Sequence, residues 1–375
     1  MFRDIKIFAS IIVMLVCYPL VGHSEDHETL KIGAQAPDFN LKGIDGKNYT
    51  LKSFTASPIL AIVFSCNHCP TAQAYEERIK KITSDYKAKK VAVVVITSND
   101  PKAIRLDELG YTDLSDSYEE MKIRAKDMSY NFPYLYDGDD QKTALAYGPV
   151  ATPHIFIFDK DRKLQYTGRI DDVEKPSGTP KNIDARNAIE DLLANKPVSV
   201  PTTKTFGCSM KWISKEQGVQ KEQAGWAKEP VVLETIDENG LNELIQNKSD
   251  KLRLINVWAT WCGPCVTEFP DFMTMQHMYR QRDFEFISIS ADSPDKKDKA
   301  LKFLQGKFAS NKNYIFNSED KYKLIESVDP KWQGALPYTL LVEPGGKIVY
   351  AGQGPIDPHK MKKIIVENKY VGRYY

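Results

Sequence analysis

Two segments of the chain repeat one order of elements, and this repeat constrains the fold more than any other feature. In each segment an apolar, β-rich run leads into a Cys-X-X-Cys motif, then a helical stretch and a second apolar run. The motifs are Cys66–Cys69 (CNHC) and Cys262–Cys265 (CGPC). An X-Pro pair, at Pro153 and at Pro337, then precedes two more strand-like runs and a closing helix. This alternation predicts an α/β fold in two copies.

The length and composition agree with two globular domains. A chain of 375 residues corresponds to at least two domains of ordinary size, and 42% hydrophobic and 27% charged residues are average values. We predict a first domain over 30–199, a linker over 200–230 that is poor in apolar residues, and a second domain over 231–375. The net charge of +1 gives no basic footprint, which argues against nucleic acid as a partner.

The N-terminus has the pattern of an export signal. Arg3 and Lys6 precede an apolar run from Ile7 to about Gly22, and small residues follow. The run is short for a membrane span, although an uncleaved anchor helix is the alternative. We therefore predict a signal peptide over 1–24, a periplasmic or otherwise extracytoplasmic protein, and no transmembrane segment once the signal is removed.

The Cys-X-X-Cys motifs suit redox chemistry better than structural disulfides, because so close a pair cannot constrain a long loop. A cysteine at the first turn of a helix lies at the positive end of the helix dipole, which favours the reactive thiolate. In this scheme Cys262 attacks a partner disulfide and Cys265 resolves it, and Cys66 and Cys69 have the matching roles. Pro153 and Pro337 would shape the substrate loops.

The stretch from Val257 to Cys265 (VWATWCGPC) resembles the thioredoxin superfamily. Glu268, followed by Phe and Pro, narrows the resemblance to the TlpA/ResA type of exported reductase used in cytochrome c maturation. Asn256 stands where cytoplasmic thioredoxin has a buried Asp. The resemblance implies that Glu268 assists proton transfer between the thiols; the alternative is an acidic residue that only complements the helix dipole.

The first domain resembles the peroxiredoxin-like branch of the superfamily (AhpC/TSA and redoxin proteins). Residues 33–39 (GAQAPDF) are similar to the opening of such domains, and Cys69-Pro-Thr is similar to the segment around a peroxidatic cysteine. Cys66 stands where that branch has Thr, which favours dithiol–disulfide exchange. A thiol peroxidase with antioxidant activity, acting through Cys69, is one alternative. The arginine such an enzyme needs has three candidates, Arg105, Arg124 and Arg169.

Two further residues leave alternatives open. Cys208 is either a resolving cysteine for the first motif or a small apolar residue under the linker. His154 begins a predicted strand beside the X-Pro loop. Cys66, Cys69 and His154 together would suit copper, by resemblance to Sco-type chaperones.

The resulting hypothesis is an exported thiol–disulfide oxidoreductase with two Cys-X-X-Cys sites and no organic cofactor. Its partners would be protein dithiols and disulfides together with a membrane thiol reductant. The two sites would be able to form an inter-domain electron relay.

The first site is predicted to have the higher reduction potential. A His directly before the second cysteine resembles oxidising DsbA-type sites, where it stabilises a thiolate and so makes the disulfide more oxidising. Redox titration of the separated domains measures this order, and a more reducing Cys66–Cys69 pair would contradict it.

Overall fold

Each repeated segment folds around its own mixed β-sheet in the computed structural model, which describes residues 27–373. Helices flank both sheets, so the predicted fold class of two tandem thioredoxin-like α/β domains is confirmed. The predicted signal peptide lies outside the described residues. Among the described helices none is both long enough and apolar enough to cross a bilayer.

The first domain has a seven-stranded sheet in the order β2-β1-β5-β4-β3-β7-β8, and a separate two-stranded sheet pairs β6 with β9. Its strands are β1 Leu41–Gly43, β2 Asn48–Tyr49, β3 Ile59–Phe64, β4 Val91–Thr97, β5 Tyr134–Tyr136, β6 Ala151–Thr152, β7 His154–Phe158, β8 Leu164–Gly168 and β9 Cys208–Ser209. Its helices are α1 Pro70–Tyr86, α2 Tyr118–Asp127, α3 Lys142–Tyr147 and α4 Asp184–Leu193, and α5 Glu216–Trp226 follows.

The second domain has a six-stranded sheet in the order β10-β13-β12-β11-β14-β15. Its strands are β10 Glu234–Ile236, β11 Leu252–Trp258, β12 Phe284–Ser290, β13 Lys312–Phe316, β14 Tyr338–Val342 and β15 Ile348–Gln353. Its helices are α6 Glu238–Gln246, α7 Gly263–Tyr279, α8 Lys297–Gly306, α9 Lys321–Val328 and α10 Pro358–Glu367.

One strand pairing in each domain positions the site. The strand before the Cys-X-X-Cys motif is fully buried and antiparallel to the strand that follows the X-Pro loop. The register sets Phe64 opposite His154 and Val257 opposite Tyr338. Because the end of one strand thus meets the beginning of the other, each X-Pro loop lies beside its cysteines.

The predicted linker is not an extended spacer. Thr167 N–H donates to Pro201 and Thr203 N–H donates to Thr167, which fixes this stretch along β8. Farther on, β9 pairs with β6, and Met210 is buried in the first domain's core. Residues 200–213 therefore pack on the first domain.

The two domains are in direct contact at the C-terminal end of α7. The Tyr279 hydroxyl donates to the Thr112 carbonyl at 2.8 Å, and Arg282 donates to the Gly110 carbonyl at 2.8 Å. Leu109 of the first domain belongs to the second domain's core. This part of the interface is at the opposite end of α7 from Cys262. The C-terminal segment adds further contacts, in which Lys363 pairs with Asp127 at 2.7 Å and Arg373 with Asp113 at 2.8 Å.

Candidate functional site

The second site is built on the first turn of α7. Cys262 is the N-cap residue, and its sulfur accepts the Cys265 backbone N–H at 3.3 Å. The two sulfurs are joined in a disulfide of 2.02 Å. The Cys265 N–H, which has no partner within the helix, and the helix dipole both stabilise negative charge on the Cys262 sulfur once the disulfide is reduced. Trp261, just before it, is 66% exposed, so the site opens to a large partner.

Glu268 is buried one turn beyond Cys265. Its carboxylate accepts the Ile356 N–H at 2.9 Å and lies 3.4 Å from the Asn256 amide, which also donates to the Thr339 hydroxyl at 3.2 Å. Burial raises the pKa of Glu268 to about 7, against the lowering effect of the Ile356 and Asn256 hydrogen bonds. A carboxyl with such a pKa can exchange a proton near neutral pH.

The first site is shifted by three residues relative to the second. Helix α1 begins at Pro70, so its N-cap is Cys69, whose sulfur accepts the Ala72 N–H at 3.5 Å. By position Cys69 therefore corresponds to Cys262, not to Cys265, and Ala72 stands where a resolving cysteine would be. The shared Cys-X-X-Cys spacing predicted instead that Cys66 matches Cys262 and that Cys69 matches Cys265. The sequence signal for the observed helix start is the Pro directly after Cys69, because proline is favoured at the first position of a helix.

Three thiols meet at the first site. Cys66, Cys69 and Cys208 pack against one another, and the Cys208 backbone N–H lies 3.4 Å from the Cys69 sulfur. Burial alone would raise the pKa of Cys69. Hydrogen bonding from the neighbouring Cys208 and Cys66 thiols, the charge on His68 and the Ala72 amide outweigh burial and hold that pKa well below its usual range. Burial raises the pKa of Cys66 well above its usual range. Cys69 is thus the thiolate of the three.

His68 is held by a buried carboxylate from a distant loop. Its Nδ1 lies 2.6 Å from Asp116, which also accepts the backbone N–H groups of Asn67 and His68 and the side-chain amide of Asn99. Burial lowers the pKa of His68, but the Asp116 charge and hydrogen bond more than compensate and raise it overall. Asp116 therefore favours the protonated, positively charged form of His68 beside the Cys69 sulfur.

His154 does not join the thiols. Its Nδ1 accepts the Val150 N–H at 3.3 Å and its Nε2 lies 2.9 Å from the Thr167 hydroxyl. Burial lowers the pKa of His154 to about 3. Because β7 sets this ring between those two partners, the predicted copper set of Cys66, Cys69 and His154 does not form.

Another group in the described part of the chain could hold a metal. Cys66, His68 and Asp116 bring one ligand atom each to within 4.8 Å of one another. The Asp116 carboxylate, however, already accepts four hydrogen bonds from groups at the site. A metal would have to displace at least one of them, so these residues fit an anion-stabilising role better than ligation.

The three candidate arginines are each paired with a carboxylate. Arg124 makes a buried two-bond pair with Glu76 at 2.8 Å, and Arg169 donates to Asp184 at 2.7 Å. Arg105 donates to Asp107 at 3.0 Å. The charge that stabilises Cys69 comes from His68 instead.

Both X-Pro peptide bonds are cis. In the first domain the Thr152 carbonyl lies 3.3 Å from the Cys69 sulfur, and the Thr152 hydroxyl lies 3.3 Å from the Cys66 sulfur. Sequence reasoning missed Thr152, Asp116 and Asn99, because an isolated polar residue far along the chain carries no pattern.

Comparisons with known proteins agree with this architecture. Residues 32–167 match the AhpC/TSA family, and residues 231–367 match the Redoxin family. Two mixed sheets with a cysteine capping a central helix define a tandem of thiol-bearing α/β domains. The chain belongs to the thioredoxin superfamily in both of its halves.

Curated relatives include proteins named thiol-disulfide oxidoreductase ResA. The one from Oceanobacillus iheyensis is 26% identical over 111 residues, which cover 28% of this chain and 50% of the relative. The one from Bacillus subtilis is 25% identical over 113 residues, covering 30% and 59%. This chain thus spans only about half the length of these relatives.

Similar solved structures include a hypothetical protein from Sinorhizobium meliloti and an uncharacterized conserved protein from Geobacillus kaustophilus. The first is 34% identical, with a TM-score of 0.45, and the match covers 50% of this chain and 97% of that one. The second is 37% identical, with a TM-score of 0.43 and coverage of 48% and 92%.

Asp116→Asn is expected to weaken the Cys69 thiolate. Without the carboxylate His68 loses its proton more easily, so the pKa of Cys69 rises and the midpoint of its alkylation profile moves up by roughly one pH unit or more. The pH dependence of iodoacetamide labelling, followed by mass spectrometry of the Cys69 peptide, measures this.

His154→Gln is the matched control, since both ring nitrogens of this second buried histidine have their own partners, Val150 and Thr167. An unchanged midpoint in Asp116→Asn, or an equal rise in both variants, would argue against the role assigned to Asp116.

Proposed function

We propose that the protein is a thiol–disulfide oxidoreductase that exchanges dithiols and disulfides with partner proteins. The observation that carries this proposal is the Cys262–Cys265 pair at the start of α7, with the Cys262 sulfur on an unpaired amide and a large exposed Trp beside it. The named ResA relatives support the same activity.

At the second site the reduced Cys262 thiolate attacks one sulfur of a partner disulfide and releases the other as a thiolate. Cys265 then attacks Cys262, which frees the partner and leaves the intramolecular disulfide. We assign to Glu268 the exchange of the Cys265 proton, because its carboxyl is buried in the same helix and its pKa of about 7 suits the transfer.

At the first site we assign the attack to Cys69, with Cys66 and Cys208 as thiols that resolve it. The packing of the three cysteines, with the Cys208 backbone N–H 3.4 Å from the Cys69 sulfur, supports these roles. The thiolate-stabilising His68 supports a more oxidising first site.

A direct sulfur-to-sulfur relay between the sites is disfavoured by the domain contact. Seventeen residues separate Cys262 from Tyr279 at the interface, which is about 25 Å along α7 at 1.5 Å per residue. We therefore propose that electrons pass between the sites through a mobile partner, or that each site serves its own partner.

We also propose a cellular location and a source of electrons. The apolar run 7–22 supports export to an extracytoplasmic space. There a membrane thiol reductant would reduce the Cys262–Cys265 disulfide, and the protein would act in cytochrome c maturation. N-terminal sequencing of the protein recovered from that compartment tests the cleavage after residue 24.

Thiol peroxidation through Cys69 is the second candidate. It is favoured by the position of Cys69 at the helix start, with Pro70 directly after it. Consumption of hydrogen peroxide with a dithiol donor, lost in Cys69→Ser and kept in Cys262→Ser, would support it.

Mixed disulfides are expected to accumulate in Cys265→Ser. This variant keeps the attacking thiolate and lacks the thiol that releases the partner, so the partner protein stays joined to Cys262 by a mixed disulfide. Non-reducing electrophoresis after incubation with an insulin substrate measures the adduct. Cys262→Ser/Cys265→Ser is the control and should trap nothing at this site; equal trapping by both would reject the assignment of Cys262.

Glu268→Gln is expected to stabilise the oxidised protein at high pH. The folded-state pKa of about 7 exceeds the ordinary value of 4.5, so the wild-type carboxyl favours folding below about pH 4.5, and this contribution is lost as the pH rises through 7. The amide avoids that loss. Its advantage should grow between these pH values to on the order of 2–3 kcal/mol at pH 8, measured by urea unfolding.

Glu326→Gln on the exposed face of α9 is the control. A stability difference in Glu268→Gln that does not change with pH would contradict the buried, protonated carboxyl.

A further inference from the structure

A short segment of the chain covers the first site. We call residues 206–210 the strap; it contains β9, which pairs antiparallel with β6 so that Cys208 lies opposite Thr152. Thr152 is also the residue whose carbonyl contacts the Cys69 sulfur at 3.3 Å. The strap therefore pairs with the backbone of β6, which lies directly beside the Cys69 sulfur.

The equivalent edge of the second domain has no such cover. Ala335 and Leu336 precede Pro337 there, and in the described part of the chain no strand pairs with them. Cys262 keeps 6% exposure and follows an exposed Trp, whereas Cys69 has none. Two sites of one fold thus differ in access: one is open to a polypeptide, and the other is already paired with one.

The strap is held at both ends by specific contacts. Phe206 packs on Tyr75 with ring centroids 6.1 Å apart, and Met210 is 1% exposed in the core. Just after it, the Lys211 N–H donates to Asn99 at 2.9 Å. These contacts distinguish a docked segment from a passing linker.

Gly207 makes the close approach possible. Its φ is +130°, and a Cβ there would lie 2.1 Å from the Thr152 carbonyl oxygen. Any other residue would have to push the strap off the edge that carries the Cys69 contact. A side chain at Gly218 in α5, in contrast, would meet nothing within 4 Å.

A cavity of about 380 Å³ gives a second way to the site. His68, Tyr111, Cys208 and Lys211 are among the residues that line it. This volume suits a small molecule rather than a polypeptide. The lining is of mixed charge, because Glu108 and Glu174 also contribute to it and Lys211 is ion-paired with Glu108 at 2.6 Å.

We propose that the strap occupies the substrate edge of the first site, that Cys208 is the disulfide partner of Cys69, and that this site exchanges with low-molecular-weight disulfides rather than with proteins. The proposal rests on thiol–disulfide exchange as the proposed function and narrows its substrate class at one site. The Cys69 thiolate attacks a small disulfide, forms a mixed disulfide and releases one thiolate. Cys208 then attacks Cys69, the second thiol leaves with the Cys208 proton, and a Cys69–Cys208 disulfide remains; two thiols are oxidised and one disulfide is reduced.

Disulfide mapping tests the pairing on the full-length chain. The reduced protein is treated with oxidised glutathione, quenched with acid, alkylated and analysed as peptides by mass spectrometry. A Cys69–Cys208 link is expected in the wild type and in Cys66→Ser. A Cys66–Cys69 link with Cys208 fully alkylated would overturn the proposal.

Labelling rates test the cover. In the reduced wild type a large polyethylene-glycol maleimide should label Cys69 far more slowly than iodoacetamide does. Gly207→Ala should raise the maleimide rate roughly tenfold, because it releases a locally docked segment. Gly218→Ala should leave the rate unchanged. Phe206→Ala, which loosens the strap without backbone strain, is the second variant.

Equal maleimide rates in the wild type, Gly207→Ala and Phe206→Ala would overturn the strap as a cover, provided that circular dichroism shows the fold retained. Neither mapping nor labelling depends on turnover of a protein substrate. Insulin reduction by the same variants reports on the second site, so failure of the general proposal appears there and is distinguishable.

Discussion

The antiparallel pairing between the strand that enters each site and the strand that leaves the X-Pro loop is the constraint on which the structure depends. It joins Phe64 to His154 and Val257 to Tyr338, residues more than 80 positions apart in the chain. The central strands are buried on both faces, so a slip of one residue would exchange the side chains between two differently packed cores. This register places the sulfur, the first helical amides and the X-Pro loop together in both domains.

On that shared frame, a shift of three residues separates the chemistry of the two sites. In the second domain both cysteines belong to the first turn of the helix, so one turn of backbone holds attacker and resolver. In the first domain only the later cysteine caps the helix, and Ala72 occupies the resolving position. The other two thiols must then come from the preceding loop and from a segment 139 residues away. The spacing of the two cysteines is the same in both motifs. The position at which the helix begins decides which cysteine caps it and which residue occupies the resolving position.

The sequence predicted the elements with strong local patterns. Buried strands, helices and both X-Pro loops follow from apolar runs and from Pro positions, and the role of Glu268 is implied by the resemblance to TlpA/ResA-type reductases. The residues that complete the first site could not be predicted in this way. The role of Asp116 depends on its contact with His68, which is far from it in the sequence. The ring of His154 is held by Val150 and Thr167. Only the folded chain shows these contacts. The strap looked like a linker because a two-residue strand leaves no periodic pattern.

The attachment of the strap has a mechanical consequence. Five residues, 211–215, separate it from α5, and α5 packs on the turn Pro101–Ala103 of the first domain before the chain enters the second. The cover of one active site and the segment that joins the two domains are therefore neighbouring parts of one stretch of chain. That stretch is anchored on both sides, because Trp226 at the end of α5 stacks on His277 of the second domain.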